Sequence, residues 1–209
     1  NRPVTSLIAE RIPNTLVITL TSLVIAIFIG VGIGVLSAIK QYSILDYIFM
    51  ILALVGVSMP IFWLGLMLVN LFSVQLGWLP ALGMGSMSKG IGDVISHMVL
   101  PCFCLATIPT ATFARITRSS MLEVIRSDYI VTARAKGLSE RDILYKHALP
   151  NALIPIITVV GNGMGMMLGG TVVIESVFSI PGIGMYTTSA INNRDYPIVM
   201  GGVLFLGAV

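Results

Sequence analysis

The stretch Asp128-Tyr-Ile-Val-Thr-Ala-Arg-Ala-Lys-Gly-Leu-Ser-Glu-Arg-Asp-Ile-Leu-Tyr-Lys-His-Ala-Leu-Pro150 is a polar island between long apolar runs. Seven of the 12 Lys and Arg residues lie between Arg115 and Lys146, so one loop carries most of the positive charge. Around it the chain is 56% hydrophobic and only 10% charged, with a mean hydropathy of +0.97. Soluble domains carry roughly 25% charged residues, so the solvent here is lipid. The net charge of +3 comes from that single loop. A nucleic-acid surface needs cations spread along a face, and none is present.

Outward from the loop, length decides which segments span. Asn14 to Ile39 holds no charged residue and reaches about 39 Å as a helix, enough to cross a bilayer with tilt. Tyr47 to Leu76 is equally uncharged. Val94 to Ala114 has His97 near one end, and Ala148 to Ile174 forms a fourth run. Ile198 to Val209 reads as the start of a fifth. The expected class is an all-α polytopic membrane protein, with residues 1–13 before the first run, a transmembrane domain over 14–209 and a basic loop at 115–147. A chain that opens without Met and stops inside an apolar run is read as a fragment.

Charge sets direction. Lys40 and the seven loop cations fall on one side; Arg2, Arg11, Lys89 and Arg194 fall on the other. The excess places the Arg115–Lys146 loop in the cytoplasm, with Gly77–Asp93 and Glu175–Pro197 facing outward. Pro60, Pro101 and Pro109 sit inside runs and are expected to bend them. Gly30 and Gly34 make one Gly-x-x-x-Gly; Gly161, Gly165 and Gly169 make two more. Such spacing lets helix backbones approach closely, either within the chain or across an interface between two protomers. Asn14, Asn70 and Asn162 are expected to pack or hydrogen-bond between helices.

Within the loop two helices are expected. Ser119 or Ser120 caps the first, Glu123 suits its first turn, and Lys136-Gly137 its end. Ser139, with Asp142 three residues on, starts a short second helix that presents Ile143, Leu144 and Tyr145 over Glu140–Lys146. Leu149-Pro150 closes it. A short amphipathic helix of this kind is either a docking knob for another protein or a helix lying on lipid.

Here a resemblance enters. Thr132-Ala-Arg-Ala-Lys-Gly137 and His147-Ala-Leu-Pro-Asn-Ala-Leu153 resemble the "EAA" loop of ATP-binding-cassette (ABC) importer permeases, most of all the B-type subunit of the dipeptide, oligopeptide and nickel branch. Aligned on Gly137 and Leu149-Pro150, Val131-Thr132-Ala133 stands where the general pattern has Glu-Ala-Ala, and His147 where it has Ile. Gly77-Trp-Leu-Pro80, Gly169-Gly-Thr-Val-Val-Ile-Glu-Ser-Val-Phe178, Pro181-Gly-Ile-Gly184 and Arg194-Asp-Tyr-Pro197 are similar to the same branch. The resemblance implies a MetI-like type I importer transmembrane domain in the cell membrane of a bacterium or archaeon. It implies a related C-type permease subunit, two ABC ATPase subunits holding ATP and Mg²⁺, and an extracytoplasmic solute-binding protein as partners. Coupling to the ATPase falls on Thr132, Ala133, Arg134, Ala135, Lys136, Gly137, Glu140, Arg141, Ile143, Leu144, Leu149 and Pro150.

The residues themselves carry no motor. No Gly-x-x-x-x-Gly-Lys-Ser/Thr loop cradles a nucleotide, and no His/Cys cluster has metal-ligand spacing. No catalytic, cofactor or metal site is expected in this chain. Cys102 and Cys104, two apart on a helix, point to different sides and read as small packing residues. The near absence of ionisable residues inside the runs argues for an external motor over an ion-coupled carrier, while a passive channel, or a carrier whose loop binds anionic lipid, is the rival. Glu175 at the end of the fourth run is either a solvated end residue or part of an outer gate with Phe178, Pro181 and Gly182. Met164, Met166 and Met167 either fill a core or face a pathway for varied side chains.

Overall fold

A computed structural model describes residues 3–208. Asn1 and Arg2 of the opening segment and Val209 lie outside the described residues. The chain is helical apart from an irregular stretch over 76–90, broken only by a short 3-10 turn at Met87–Lys89: α1 (Val4–Ala9), α2 (Ile12–Ile39), α3 (Ile44–Ser58), α4 (Ile61–Leu68), α5 (Ile91–Ile125), α6 (Asp128–Ala135), α7 (Glu140–Asp142), α8 (Leu149–Ala152), α9 (Ile154–Val177), α10 (Ile183–Asn192) and α11 (Tyr196–Ala208), joined by short turns. Wider π-type turns extend α4 over Val69–Gln75 and join α7 to α8 over Ile143–Ala148.

Three segments are long and apolar enough to cross a membrane: Val4–Ile39, α5 and α9. Only 33, 33 and 22% of their most apolar stretches are buried, so most of that surface is left for lipid or other chains. The run over Tyr47–Leu76 bends at Pro60, as expected. It divides into α3 and Ile61–Gln75, bent by 104° at the break, and supplies a fourth span if the pair is taken as one. Pro60 is the cause. It sits in extended conformation ahead of α4 (φ −60°, ψ 131°), lacks an N–H for the α3 ladder, and disfavours helix in the residue before it. Pro101 and Pro109, by contrast, lie inside an uninterrupted α5.

α5 also overturns the expected start of the loop helices. It runs 35 residues to Ile125, so Ser119, Ser120 and Glu123 lie within it and cap nothing. The next helix starts at Asp128 behind Ser127.

The chain forms two compact units. One comprises the residues through Leu23, Met59–Ala106 and those from Met164 on; the other comprises Val24–Ser58 and Thr107–Gly163. In the first, Cys102 and Cys104 are buried and free, and the Cys104 thiol donates to the Ile61 carbonyl at 3.3 Å. In the second, Gly30 and Gly34 let α2 close on α5. A Cβ on Gly30 would lie 2.7 Å from the Thr110 carbonyl oxygen and 2.8 Å from the Phe113 Cβ; one on Gly34 would run into Thr117. The Gly-x-x-x-Gly on α2 is thus an intrachain contact.

Candidate functional site

The basic loop is built in the second unit from α6 onward. α6 is closed by Lys136 and then Gly137, whose φ of +80° suits a residue without Cβ. The Gly137 N–H donates to the Arg134 carbonyl at 2.9 Å, and the Leu138 N–H to the Ala133 carbonyl at 3.3 Å. Ser139 then caps α7, its hydroxyl oxygen accepting from the Asp142 N–H at 3.1 Å. Arg134 bridges the two helices with a forked contact to Glu140, Nε to Oε1 at 2.7 Å and Nη2 to Oε2 at 3.2 Å. Its guanidinium holds the Glu140 carboxyl below the usual range. The Lys146 ammonium, 2.5 Å from Asp142 Oδ1, acts likewise with Ser139 on Asp142.

Under this polar skin lies a small apolar core. Ile130, Ala133, Ile143, Ala148 and Ala152 pack with Val35, Ala38 and Met121, and Leu144 and Leu149 border them. Two expectations are therefore corrected. Ile143 is fully buried, and Ala133 nearly so; both anchor the loop instead of being presented by it. The π-type turn explains the reversal, because its i→i+5 bonding keeps Ile143 and Ala148 on one side. Tyr145, Val131 and Leu138 remain exposed, as do Thr132, Arg134, Ala135, Lys136, Gly137, Glu140, Arg141 and Pro150.

The same unit holds a constellation that sequence reasoning missed. Asp46, at the start of α3, is buried and takes both arms of Arg118, Nε to Oδ1 and Nη2 to Oδ2, each at 2.7 Å. The Ser37 hydroxyl donates to Oδ1 at 2.5 Å, and the Tyr42 N–H to Oδ2 at 3.0 Å. The pair pins α3 and the turn before it to α5. Arg118 had been counted among the loop cations, yet its charge is spent here.

Glu175 is buried within the first unit. Its Oε1 accepts from the Thr15 hydroxyl at 2.6 Å and its Oε2 from the Met185 N–H at 3.0 Å. Thr15 Oγ1 in turn accepts from the Ile183 N–H at 3.0 Å, and Asn14 Nδ2 donates to the Pro181 carbonyl at 2.9 Å. Gly182 stands at the N-cap of α10 and has no side chain to cap it, so Glu175 serves from a neighbouring helix, at the end where a negative charge is favoured. Cβ atoms on Gly182 or Gly184 would fall on that carboxylate or on the Val172 backbone. The reading of Glu175 as a solvated end residue is thereby overturned, since its carboxylate is fully buried. Phe178 is as deeply buried, its carbonyl accepting from the Gly83 N–H at 2.7 Å.

The glycines of α9 differ from those of α2. Around Gly161, Gly165 and Gly169 nothing lies within 4 Å of an added Cβ, so the intrachain packing reading is wrong for them. Met166 on the same helix is 85% exposed, whereas Met167 is buried. Asn14 hydrogen-bonds between segments as expected; Asn70 and Asn162 are exposed instead.

Spans, glycine-mediated helix contacts and a polar loop over an apolar anchor define a multi-spanning membrane protein. Residues 30–209 match the family described as binding-protein-dependent transport system inner membrane component, and the chain belongs to it. It is 46% identical to the dipeptide transport system permease protein DppB of Alkalihalophilus pseudofirmus, over 100% of this chain and 69% of that protein. It is 44% identical to the oligopeptide transport system permease protein AppB of Bacillus subtilis, over 95% of this chain and 63% of that protein. The chain thus spans about two thirds of the length of these relatives. Among solved structures, an inward-facing conformation of the MetNI methionine ABC transporter shares the fold, with a TM-score of 0.68 at 19% identity over 100% of this chain and 98% of that one. The fold is MetI-like.

Proposed function

We propose that the chain is the permease subunit of an ATP-driven uptake transporter and forms half of the transmembrane pathway for di- or oligopeptides or a related solute, such as a nickel chelate or glutathione. Its relatives carry peptide transport in their names. The observation that carries the reading is the loop from α6 to α8. Its apolar side is anchored through Ile143, its helices are tied by Arg134 and Glu140, and its outer side presents Tyr145, Leu138 and Arg141. A rigid, anchored knob transmits force; a floppy one dissipates it.

In this reading Thr132–Gly137 and the α7–α8 segment sit on a separate ATPase in the cytoplasm, which alone holds ATP and Mg²⁺; the chain itself catalyses nothing. A C-type permease completes the pathway, and the open glycine face of α9 serves an interface with it. A solute-binding protein delivers cargo from outside. Closure of two ATPases draws the knobs together and opens the pathway outward, and hydrolysis resets it.

The test leaves the anchor alone. Arg141→Glu with Tyr145→Ala is expected to cut ATPase co-purification and uptake by about tenfold or more, the scale of an interface anchor. Unchanged coupling in that variant sinks the assignment. One observation favours a rival, an ion-coupled carrier: Asp46 and Glu175, just beyond the ends of the uncharged runs, are buried carboxylates. Both are held by fixed partners. Uptake that persists without any ATPase, and falls in Glu175→Gln, would decide for the carrier.

A further inference from the structure

The turn between α2 and α3 lies outside the segments given a role in the proposed function. Lys40 and Arg126 are exposed, and neither has an ion pair among the described residues. They belong to one corner of the second unit, since Arg126 Nη2 donates to Gln41 Oε1 at 3.4 Å. The buried acid of this corner, Asp46, is already satisfied by Arg118, and the exposed Glu123 and Asp128, three and two positions from Arg126, form no ion pair with it among the described residues. Tyr42 is held in left-handed conformation (φ 62°), with its N–H on Asp46 and its ring 69% exposed. Tyr47 is exposed one turn into α3, and both tyrosines lie within electrostatic reach of Arg118. Below them runs an exposed apolar stripe of α3: Ile44, at 78% exposure, then Ile48, Ile51 and Val55.

The order along this corner is cation, phenol, hydrocarbon. It matches the order of groups in a phospholipid from phosphate to acyl chain, and tyrosines gather at that boundary. Two unpaired cations ask for an anion, and the α3 stripe asks for acyl chains; one molecule that supplies both is an anionic phospholipid. We propose that the Lys40–Tyr47 turn, together with Arg126, is a binding site for the headgroup of an anionic phospholipid whose tails lie along α3. The Asp46–Arg118 pair shapes the site by fixing the turn, and its neutralised charge leaves Lys40 and Arg126 to bind phosphate.

The experiment uses the complete transporter, reconstituted in phosphatidylcholine vesicles doped with phosphatidylglycerol, with native mass spectrometry reading the retained lipid. Lys40→Gln with Arg126→Gln is expected to lower phosphatidylglycerol occupancy by about fivefold per charge removed, the effect of about 1 kcal/mol for each cation at an anionic surface. Lys40→Arg with Arg126→Lys is expected to retain it, as is Lys89→Gln with Arg194→Gln, which removes two exposed cations elsewhere. Unchanged occupancy in the first variant overturns the site. Equal loss in the last shows only a diffuse field and overturns it too. Loss of ATPase co-purification with lipid occupancy intact would give this corner to a protein partner and reject the lipid.

Discussion

Asp46 and Glu175 pose the same problem, a carboxylate buried in a chain made for lipid, and the two units meet it in opposite ways. Asp46 is matched by a full opposite charge, the forked guanidinium of Arg118, with Ser37 and Tyr42 taking up its remaining capacity. Glu175 has neutral partners: the Thr15 hydroxyl and backbone N–H groups at the start of α10. The first arrangement is mutual, because removing either member strands the other. The second is one-sided, because the backbone dipoles of α10 persist without the acid. A buried ion pair is thus fragile to single changes, and a carboxylate cap is comparatively tolerant.

The contrast is sharpest at Arg118. Arg118→Ala leaves Asp46 buried without its cation and is expected to destabilise the purified protein by about 3 to 5 kcal/mol, read by thermal or denaturant unfolding in detergent. Asp46→Ala with Arg118→Ala is expected to cost less than the two single changes summed, since neither charge is stranded. Strict additivity would mean that the pair is not coupled.

In the other unit Glu175→Gln keeps the size and most hydrogen bonds of the cap while removing its charge. The expected loss is smaller, about 1 to 2 kcal/mol. Gly182→Ala tests the same cap by volume, since its Cβ meets the carboxylate, and should cost about 1 to 3 kcal/mol. If Glu175→Gln proves as damaging as Arg118→Ala, the difference between the two solutions is illusory.

The parts of this architecture governed by near neighbours could be read from the chain. Lys136-Gly137 stops a helix and Ser139 starts one, because capping is decided within a few residues. Apolar length likewise marks the spans. What escaped depends on distant partners or on facing. Asp46 meets Arg118 across 72 positions and Glu175 meets Thr15 across 160. The apolar run ends at Ala114, yet α5 continues to Ile125, since Arg118 finds a buried acid there. In Glu140–Lys146 the stretch is too short for periodicity to say that Ile143 turns inward. Gly30 and Gly161 share a motif and differ in environment, which no local pattern distinguishes.

The mildest prediction carries the comparison to the surface, where a third carboxylate, Glu140, is forked by Arg134 but stands in water. Burial contributes almost nothing here, so the effect is local and screened. The Glu140 carboxyl is held below its ordinary value of 4.5 by Arg134. A lowered acid contributes stability above its unfolded value and loses that contribution as pH falls through the folded one. Between about pH 7 and about pH 3, hydrogen-exchange protection at the α6–α7 junction, corrected for intrinsic rates, is expected to decline slightly while the α2–α5 contact at Gly30 keeps its own. Glu140→Gln should show the low-pH behaviour already at neutral pH. Arg134→Gln should weaken the pH dependence by removing the cation that lowers Glu140, leaving the share that Asp142 contributes through Lys146 and Ser139. A junction whose protection ignores both pH and these substitutions is held by Gly137, Ser139 and the Ile143 anchor alone, and the Arg134–Glu140 fork is then ornament on an already rigid knob.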